Sequence, residues 1–136
     1  MKIGVMGHGP IVEKCLDAIS KVSGSQAIAI YNRPRSAKEG EAIAKKYHLE
    51  KTYTDFDQFL NDAEIDTVYI ALPNSLHYEY ALKVLNAGKN AIVEKPFTST
   101  VEETDHLIQV AKEKKKFLFE AITTCHLPNV KALKEY

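Results

Sequence analysis

Short apolar runs alternate along the chain with stretches in which apolar residues recur every three or four positions. The runs are apolar throughout, which is typical of strands buried on both faces of a parallel sheet. The stretches between them have the spacing of amphipathic helices. Strands are predicted at 3–6, 27–31, 51–53, 67–72, 91–94 and 117–122, and helices at 11–19, 36–47, 56–60, 75–87 and 100–114. This alternation predicts a doubly wound α/β fold in three layers, with a parallel sheet between two layers of helices.

Local signals mark several of the predicted helix ends. Thr100 and Glu103 have the spacing of a capping box, and Gly88 suits the position just after a helix. Asp55 suits the N-cap of the short third helix. The inner face of the helix at 100–114 is predicted to consist of Val101, Thr104, Ile108 and Ala111.

The composition excludes several classes of protein. The chain has 136 residues, 45% hydrophobic and 26% charged, as is usual for one soluble globular domain. Its 18 basic and 18 acidic residues balance, whereas nucleic-acid-binding domains usually carry a basic excess. Cys15 and Cys125 have neither metal-ligand nor disulfide spacing, so we expect no metal. With no apolar run of membrane-spanning length and no leader segment, we expect a cytoplasmic protein that binds neither nucleic acid nor membrane.

A glycine-rich turn lies between the first predicted strand and the first helix, the context in which G-x-G-x-x-G indicates dinucleotide binding. Gly7 would make the tight turn, and Gly9 would let the backbone approach a diphosphate at the helix N-terminus. Val12 replaces the third glycine, and an ordinary strand–helix turn is the alternative. Gly4, inside the strand, is expected to relieve packing. The candidate coenzyme-binding residues here are Gly7, His8, Gly9, Pro10 and Ile11.

The end of the second predicted strand indicates which dinucleotide would bind. An acidic residue usually meets a free ribose 2′-hydroxyl at this position, and none is present. Asn32 can still bond a ribose hydroxyl, and Arg33 and Arg35 could pair with a 2′-phosphate. We therefore expect NADP in preference to NAD; solvated loop arginines are the alternative.

Two further segments, 70–98 and 117–128, carry a more specific pattern. It comprises Pro73-Asn74, His77, Ala87-Gly88-Lys89 and Glu94-Lys95-Pro96 at characteristic intervals. With the glycine turn, this pattern resembles the N-terminal half of the Gfo/Idh/MocA family of oxidoreductases.

The resemblance implies a Rossmann domain that holds a nicotinamide coenzyme and precedes a C-terminal α/β domain. Members of the family mostly oxidise or reduce a secondary alcohol or ketone of sugars, polyols or related compounds, and some act on dihydrodiols. The lysine of their E-K-P motif, Lys95 here, reaches the reacting oxygen, and the following proline, Pro96, commonly follows a cis peptide. The resemblance also implies that a homo-oligomer forms through the C-terminal domain.

Elementary chemistry supports the role of Lys95 independently. Hydride transfer from an alcohol needs a group that takes the hydroxyl proton, and a cationic nicotinamide nearby favours the neutral amine that can do so. Glu94 would hydrogen-bond the coenzyme or the lysine. His77 lies beside the coenzyme in the family, although a residue of the first helical turn is the alternative. The remaining candidate coenzyme contacts are Ala71, Leu72, Pro73, Asn74, Pro96 and Glu120.

We expect residues 1–122 to form the dinucleotide-binding domain and residues 123–136 to lead, through a helix at 127–136, into a substrate domain beyond the sequence. The predicted function is that of the coenzyme domain of a dehydrogenase or reductase acting on a small-molecule substrate. The alternative is a non-catalytic NAD(P)-binding regulator. Lys95 favours the enzyme, because a sensor has no use for an amine at the nicotinamide.

Overall fold

The computed structural model describes residues 1–126 and contains a single six-stranded sheet. The strands are β1 (Lys2–Met6), β2 (Gln26–Tyr31), β3 (Lys51–Tyr53), β4 (Thr67–Ile70), β5 (Asn90–Glu94) and β6 (Leu118–Ala121). The α-helices are α1 (Pro10–Ile19), α2 (Ala37–Tyr47), α3 (Phe56–Asn61), α4 (His77–Asn86) and α5 (Val101–Lys114). Short 3₁₀ turns precede α2 and α4 and follow β6. The predicted helix at 127–136 lies outside the described residues.

All neighbouring strands are parallel, in the order β3-β2-β1-β4-β5-β6. This order confirms the predicted doubly wound α/β fold. The connection that follows β1 leads to β2 on one side of the sheet, and the connection that follows β4 leads to β5 on the other side. A crevice therefore opens at the carboxyl ends of β1 and β4, between these two connections. Ligands of open α/β sheets bind at such a point.

The core lies on both faces of the sheet, as the continuous apolar strands predict. One cluster contains Phe59 and Ile70, and the other contains Val5, Val12 and Ile30. Gly4 lies within the buried strand β1, where a Cβ atom would be 2.6 Å from the ring of Phe59. The prediction that Gly4 relieves packing is therefore confirmed.

The predicted inner face of α5 is partly wrong. Leu107, Val110 and Ala111 are buried, whereas Val101 is 71% exposed and Ile108 is 39% exposed. Because apolar residues occupy several adjacent positions here, two stripes have helical spacing, and packing against the sheet selects the one with Leu107. The predicted caps are confirmed. The hydroxyl of Thr100 accepts the backbone N–H of Glu103 in α5, and the carboxylate of Asp55 accepts that of Gln58 in α3.

Lys89, from the motif Ala87-Gly88-Lys89, has a structural role far from the crevice. Its ammonium group is buried and donates to the backbone carbonyls of Asp62, at 2.8 Å, and Ile65, at 2.6 Å. Burial lowers the pKa of Lys89. The lysine therefore ties the loop before β4 to the start of β5. Within the described part of the chain, none of the helices has the length and apolar character needed to cross a membrane.

Candidate functional site

A cavity of about 420 Å³ opens at the carboxyl ends of β1, β2 and β4. It brings together the glycine turn and the end of β2, which are more than twenty residues apart in the sequence. The residues lining it are Gly7, His8, Gly9, Asn32, Arg33, Arg35, Ser36, Ala71, Leu72 and Pro73. Nine of these ten residues are predicted coenzyme contacts, and Ser36 is the one that the sequence analysis did not name.

The glycine turn is built around two glycines with different constraints. Gly7 has a φ of +113°, and a Cβ atom there would lie 2.4 Å from the carbonyl oxygen of Ala71. Gly9 is the N-cap residue of α1 in an extended conformation, and a Cβ atom there would meet no described atom within 4 Å. Gly7 is therefore required by the fold itself, whereas Gly9 leaves open space beside the amides of a helix N-terminus. This space and these donors fit a diphosphate.

Asn32 lies beneath the cavity and is only 3% exposed. Its Oδ1 accepts a hydrogen bond from Nδ1 of His8 at 3.0 Å. Its Nδ2 has no hydrogen-bond partner among the described residues, and α2 approaches so closely that a Cβ atom on Gly40 would be 2.3 Å from it. The side chain is therefore held in place from both sides.

Arg33 and Arg35 supply the positive charge of this cavity. Arg33 is partly exposed and Arg35 is exposed. Within residues 1–126, neither arginine forms an ion pair. The guanidinium groups are thus available for an anionic ligand, and a 2′-phosphate has the charge and oxygen geometry that they bind.

A second cavity of about 240 Å³ adjoins the first, because Ala71 and Leu72 line both. It contains Lys95, whose side chain is exposed, together with Glu94 and His77. The peptide bond between Lys95 and Pro96 is cis. The other residues lining this cavity are Ile11, Ala71, Leu72 and Asn74.

Glu94 is buried beneath Lys95, with 7% of its surface exposed. Tyr69, in the neighbouring strand β4, donates its hydroxyl to Oε1 of Glu94, and the backbone N–H of Lys95 donates to Oε2 at 3.1 Å. Burial and the bond to Glu94 raise the pKa of Tyr69. Burial and the charge of Glu94 also raise the pKa of the adjacent Cys15, to about 12. The carboxylate is therefore fixed by two donors beside a protonated phenol and thiol.

We expect Tyr69→Phe to lower the free energy of unfolding by about 1–3 kcal/mol, because it leaves a buried carboxylate oxygen without its donor. Urea denaturation measures this change. Tyr78→Phe is the matched control, because the hydroxyl of Tyr78 bonds to the exposed His106, and we expect a change within about 0.5 kcal/mol. Equal stability of both variants would show that the Tyr69 hydroxyl does not support Glu94.

Three predicted contacts do not line either cavity. Pro10 is exposed at the first position of α1, and Pro96 is exposed behind Lys95. Glu120 lines a separate groove between α5 and β6, where its Oε1 accepts the backbone N–H of Phe97 at 3.1 Å. Through this hydrogen bond, Glu120 holds the loop that follows Lys95.

Sequence reasoning did not single out Tyr69. A tyrosine in a strand that is buried on both faces needs a hydrogen-bond partner for its hydroxyl. This requirement could have marked Tyr69 as part of a buried polar contact. The partner, Glu94, is 25 residues away and becomes its neighbour only when β4 pairs with β5.

The fold and the crevice define a dinucleotide-binding Rossmann domain. The model of the Gfo/Idh/MocA family, described as an oxidoreductase family with an NAD-binding Rossmann fold, matches residues 1–122. The chain belongs to this family, which confirms the resemblance seen in the sequence.

Two relatives and one solved structure illustrate the match. The chain is 34% identical over 136 residues to the scyllo-inositol 2-dehydrogenase (NADP(+)) IolU of Bacillus subtilis, covering all of this chain and 41% of the relative. It is 33% identical over 138 residues to the D-xylose 1-dehydrogenase (NADP(+)) of Hypocrea jecorina, covering 94% of this chain and 35% of the relative. The 3-ketoreductase KijD10 of Actinomadura kijaniata, solved with NADP and TDP-benzene, is 25% identical with a TM-score of 0.92, covering 99% of this chain and 41% of that chain. The chain therefore spans less than half the length of these relatives.

Proposed function

We propose that this chain is the coenzyme domain of a longer NADP-preferring oxidoreductase. The reaction would transfer hydride between the nicotinamide and a secondary alcohol or ketone of a sugar, polyol or dihydrodiol. The observation that carries this proposal is the continuity of the two cavities: the glycine turn and the arginines line one, and Lys95 lines the next. A dinucleotide that spans both would place its diphosphate at Gly9 and its nicotinamide at Lys95.

Different residues along this crevice would have different roles. The amides after Gly9 would hold the diphosphate, and Asn32 with the two arginines would hold the phosphorylated ribose. Lys95 would exchange a proton with the hydroxyl oxygen of the substrate, and Glu94 would fix the backbone from which Lys95 extends. When bound, the nicotinamide supplies or accepts the hydride. Residues 1–122 would form the domain, with residues 123–136 connecting it to the part that selects the substrate and forms the oligomer.

The preference for NADP is supported by the charge at the end of β2 and by the names of both relatives described above, which are NADP(+) dehydrogenases. We expect Arg33→Ala to weaken NADPH binding by about 10- to 150-fold, because a charge-assisted bond to phosphate contributes about 1.5–3 kcal/mol. The affinity for NADH should not change. Titration of coenzyme fluorescence with the purified chain measures both constants.

The matched control is Lys38→Ala, which removes one exposed positive charge from α2 outside the cavity lining. We expect it to leave both affinities unchanged. If Arg33→Ala weakened NADH and NADPH equally, Arg33 would contact a part that both coenzymes share, and the proposed preference would have lost its basis.

The catalytic proposal is tested with the full-length gene product. We expect it to oxidise NADPH in the presence of ketosugars, inosones or diketones. A protein that binds NADPH with full affinity and oxidises it with none of these substrates would instead support the non-catalytic regulator. The exposed amine of Lys95 in the second cavity favours the enzyme.

A further inference from the structure

The side chain of His77 lies beneath the loop that carries Lys95, and both nitrogens of its ring face backbone carbonyl groups. Nδ1 is 2.7 Å from the carbonyl oxygen of Pro96, and Nε2 is 2.8 Å from that of Leu72. The residue is 1% exposed. A carbonyl oxygen can only accept a hydrogen bond, so both ring nitrogens have to donate one.

A neutral imidazole cannot satisfy both contacts, because it carries a single N–H. In either neutral tautomer, the lone pair of one nitrogen would face the lone pairs of a carbonyl oxygen at hydrogen-bond distance. Turning the ring by 180° would place carbon atoms at 2.7–2.8 Å from these oxygens, well inside the usual C–H···O contact of about 3.3–3.6 Å. The geometry fits only the doubly protonated ring.

We infer that His77 is a buried imidazolium and acts as a positioning residue for Lys95. Leu72 follows β4 and Pro96 follows Lys95, so one charged ring joins the loops that leave two neighbouring strands, β4 and β5. Hydrogen bonds from a charged donor are stronger than those from a neutral one. The backbone on both sides of Lys95 is then fixed, by Glu94 before the amine-bearing residue and by His77 after it.

Some charges around His77 favour a protonated, positively charged ring, and others oppose it. Glu94, in the same cavity, is a buried carboxylate that favours a cation. Lys95 and the positive end of the α4 dipole oppose one. On α4 itself, Glu79 pairs with Lys83, and Tyr78 bonds to His106 of α5.

Nitrogen-15 NMR of the ring nitrogens of the purified chain tests the charge state directly. At about pH 7, where an ordinary histidine is mostly neutral, we expect both nitrogens of His77 to carry protons that exchange slowly with water. The exposed His48 is the internal control for exchange, because ring protons in contact with water should exchange rapidly. An unprotonated nitrogen on His77 at this pH overturns the inference.

Single glutamine variants of the other four histidines assign the His77 signals by elimination, so the test does not depend on whether a His77 variant folds. The positioning role rests on the proposed function, and His77→Gln tests it through NADPH affinity. We expect the dissociation constant to rise about tenfold in His77→Gln and to stay unchanged in His48→Gln. Unchanged affinity in His77→Gln overturns the positioning role. A wild-type chain that binds neither NADPH nor NADH overturns the proposed function instead, and the charge of His77 is then tested by the NMR spectrum alone.

Discussion

Replacing Lys95 by alanine in the full-length protein is expected to lower kcat by about 10²- to 10⁴-fold, the usual contribution of a positioned proton-transfer group. The reason is that Lys95 is the exposed amine of the second cavity, next to the place proposed for the nicotinamide. Coenzyme affinity should change by less than about tenfold, because the diphosphate and ribose contacts lie in the other cavity. Steady-state kinetics and a direct coenzyme titration separate the two effects.

Two controls make this result specific. Lys95→Arg keeps a positive charge but cannot release a proton at ordinary pH, so it should be nearly as inactive as Lys95→Ala if Lys95 transfers a proton. Lys14→Ala removes an exposed ammonium from α1 and should have wild-type kinetics. Wild-type activity in Lys95→Ala would remove Lys95 from the mechanism, and recovery of activity in Lys95→Arg would reduce its role to that of a fixed charge.

Gly9→Ala is expected to weaken binding of NADPH and NADH by more than about 100-fold, equivalent to about 2.7 kcal/mol. The added methyl group would occupy the open space next to the amides that are proposed to hold the diphosphate. The free energy of unfolding should fall by less than about 1 kcal/mol, because Gly9 has an ordinary extended conformation and no neighbour for the new atom to meet. Coenzyme titration and urea denaturation of the same sample measure the two quantities.

Gly7→Ala provides the contrast. Its Cβ atom would collide with the carbonyl oxygen of Ala71, and its φ of +113° strains any residue with a side chain. We therefore expect the variant to lose both stability, by at least about 1–3 kcal/mol, and coenzyme binding. If Gly9→Ala bound coenzyme normally while remaining folded, the diphosphate would not lie at this turn.

Much of the fold could be predicted because its signals are local. Thr100 caps α5 through the N–H of Glu103 because the two residues have capping-box spacing, and β1 is recognisable because every residue after Lys2 is apolar or glycine. The rotation of α5 could not be predicted in this way. Leu107 and Ile108 are adjacent and equally apolar, so only the surface of the sheet determines which of them is buried.

The candidate site was predictable to the extent that its motifs carry their own chemistry. Gly9 and Lys95 are identified by neighbours in the sequence, and the structure places them in adjoining cavities. Glu120 was assigned to the coenzyme from its position at the end of a strand, yet it lies in a different groove. The end of a strand fixes the edge of the sheet where a residue lies, but not the direction in which its side chain points.

The sequence by itself determined the parallel sheet, its helical crossovers and the motifs at the carboxyl ends of the strands, because these depend on hydrophobic period and on residues close together in the chain. Only the tertiary structure decided that Tyr69 supports Glu94 and that His77 joins Leu72 to Pro96. These partners come from different strands and loops. Whether a buried hydroxyl, carboxylate or imidazole has the hydrogen-bond partners it needs depends on contacts that form when the sheet assembles.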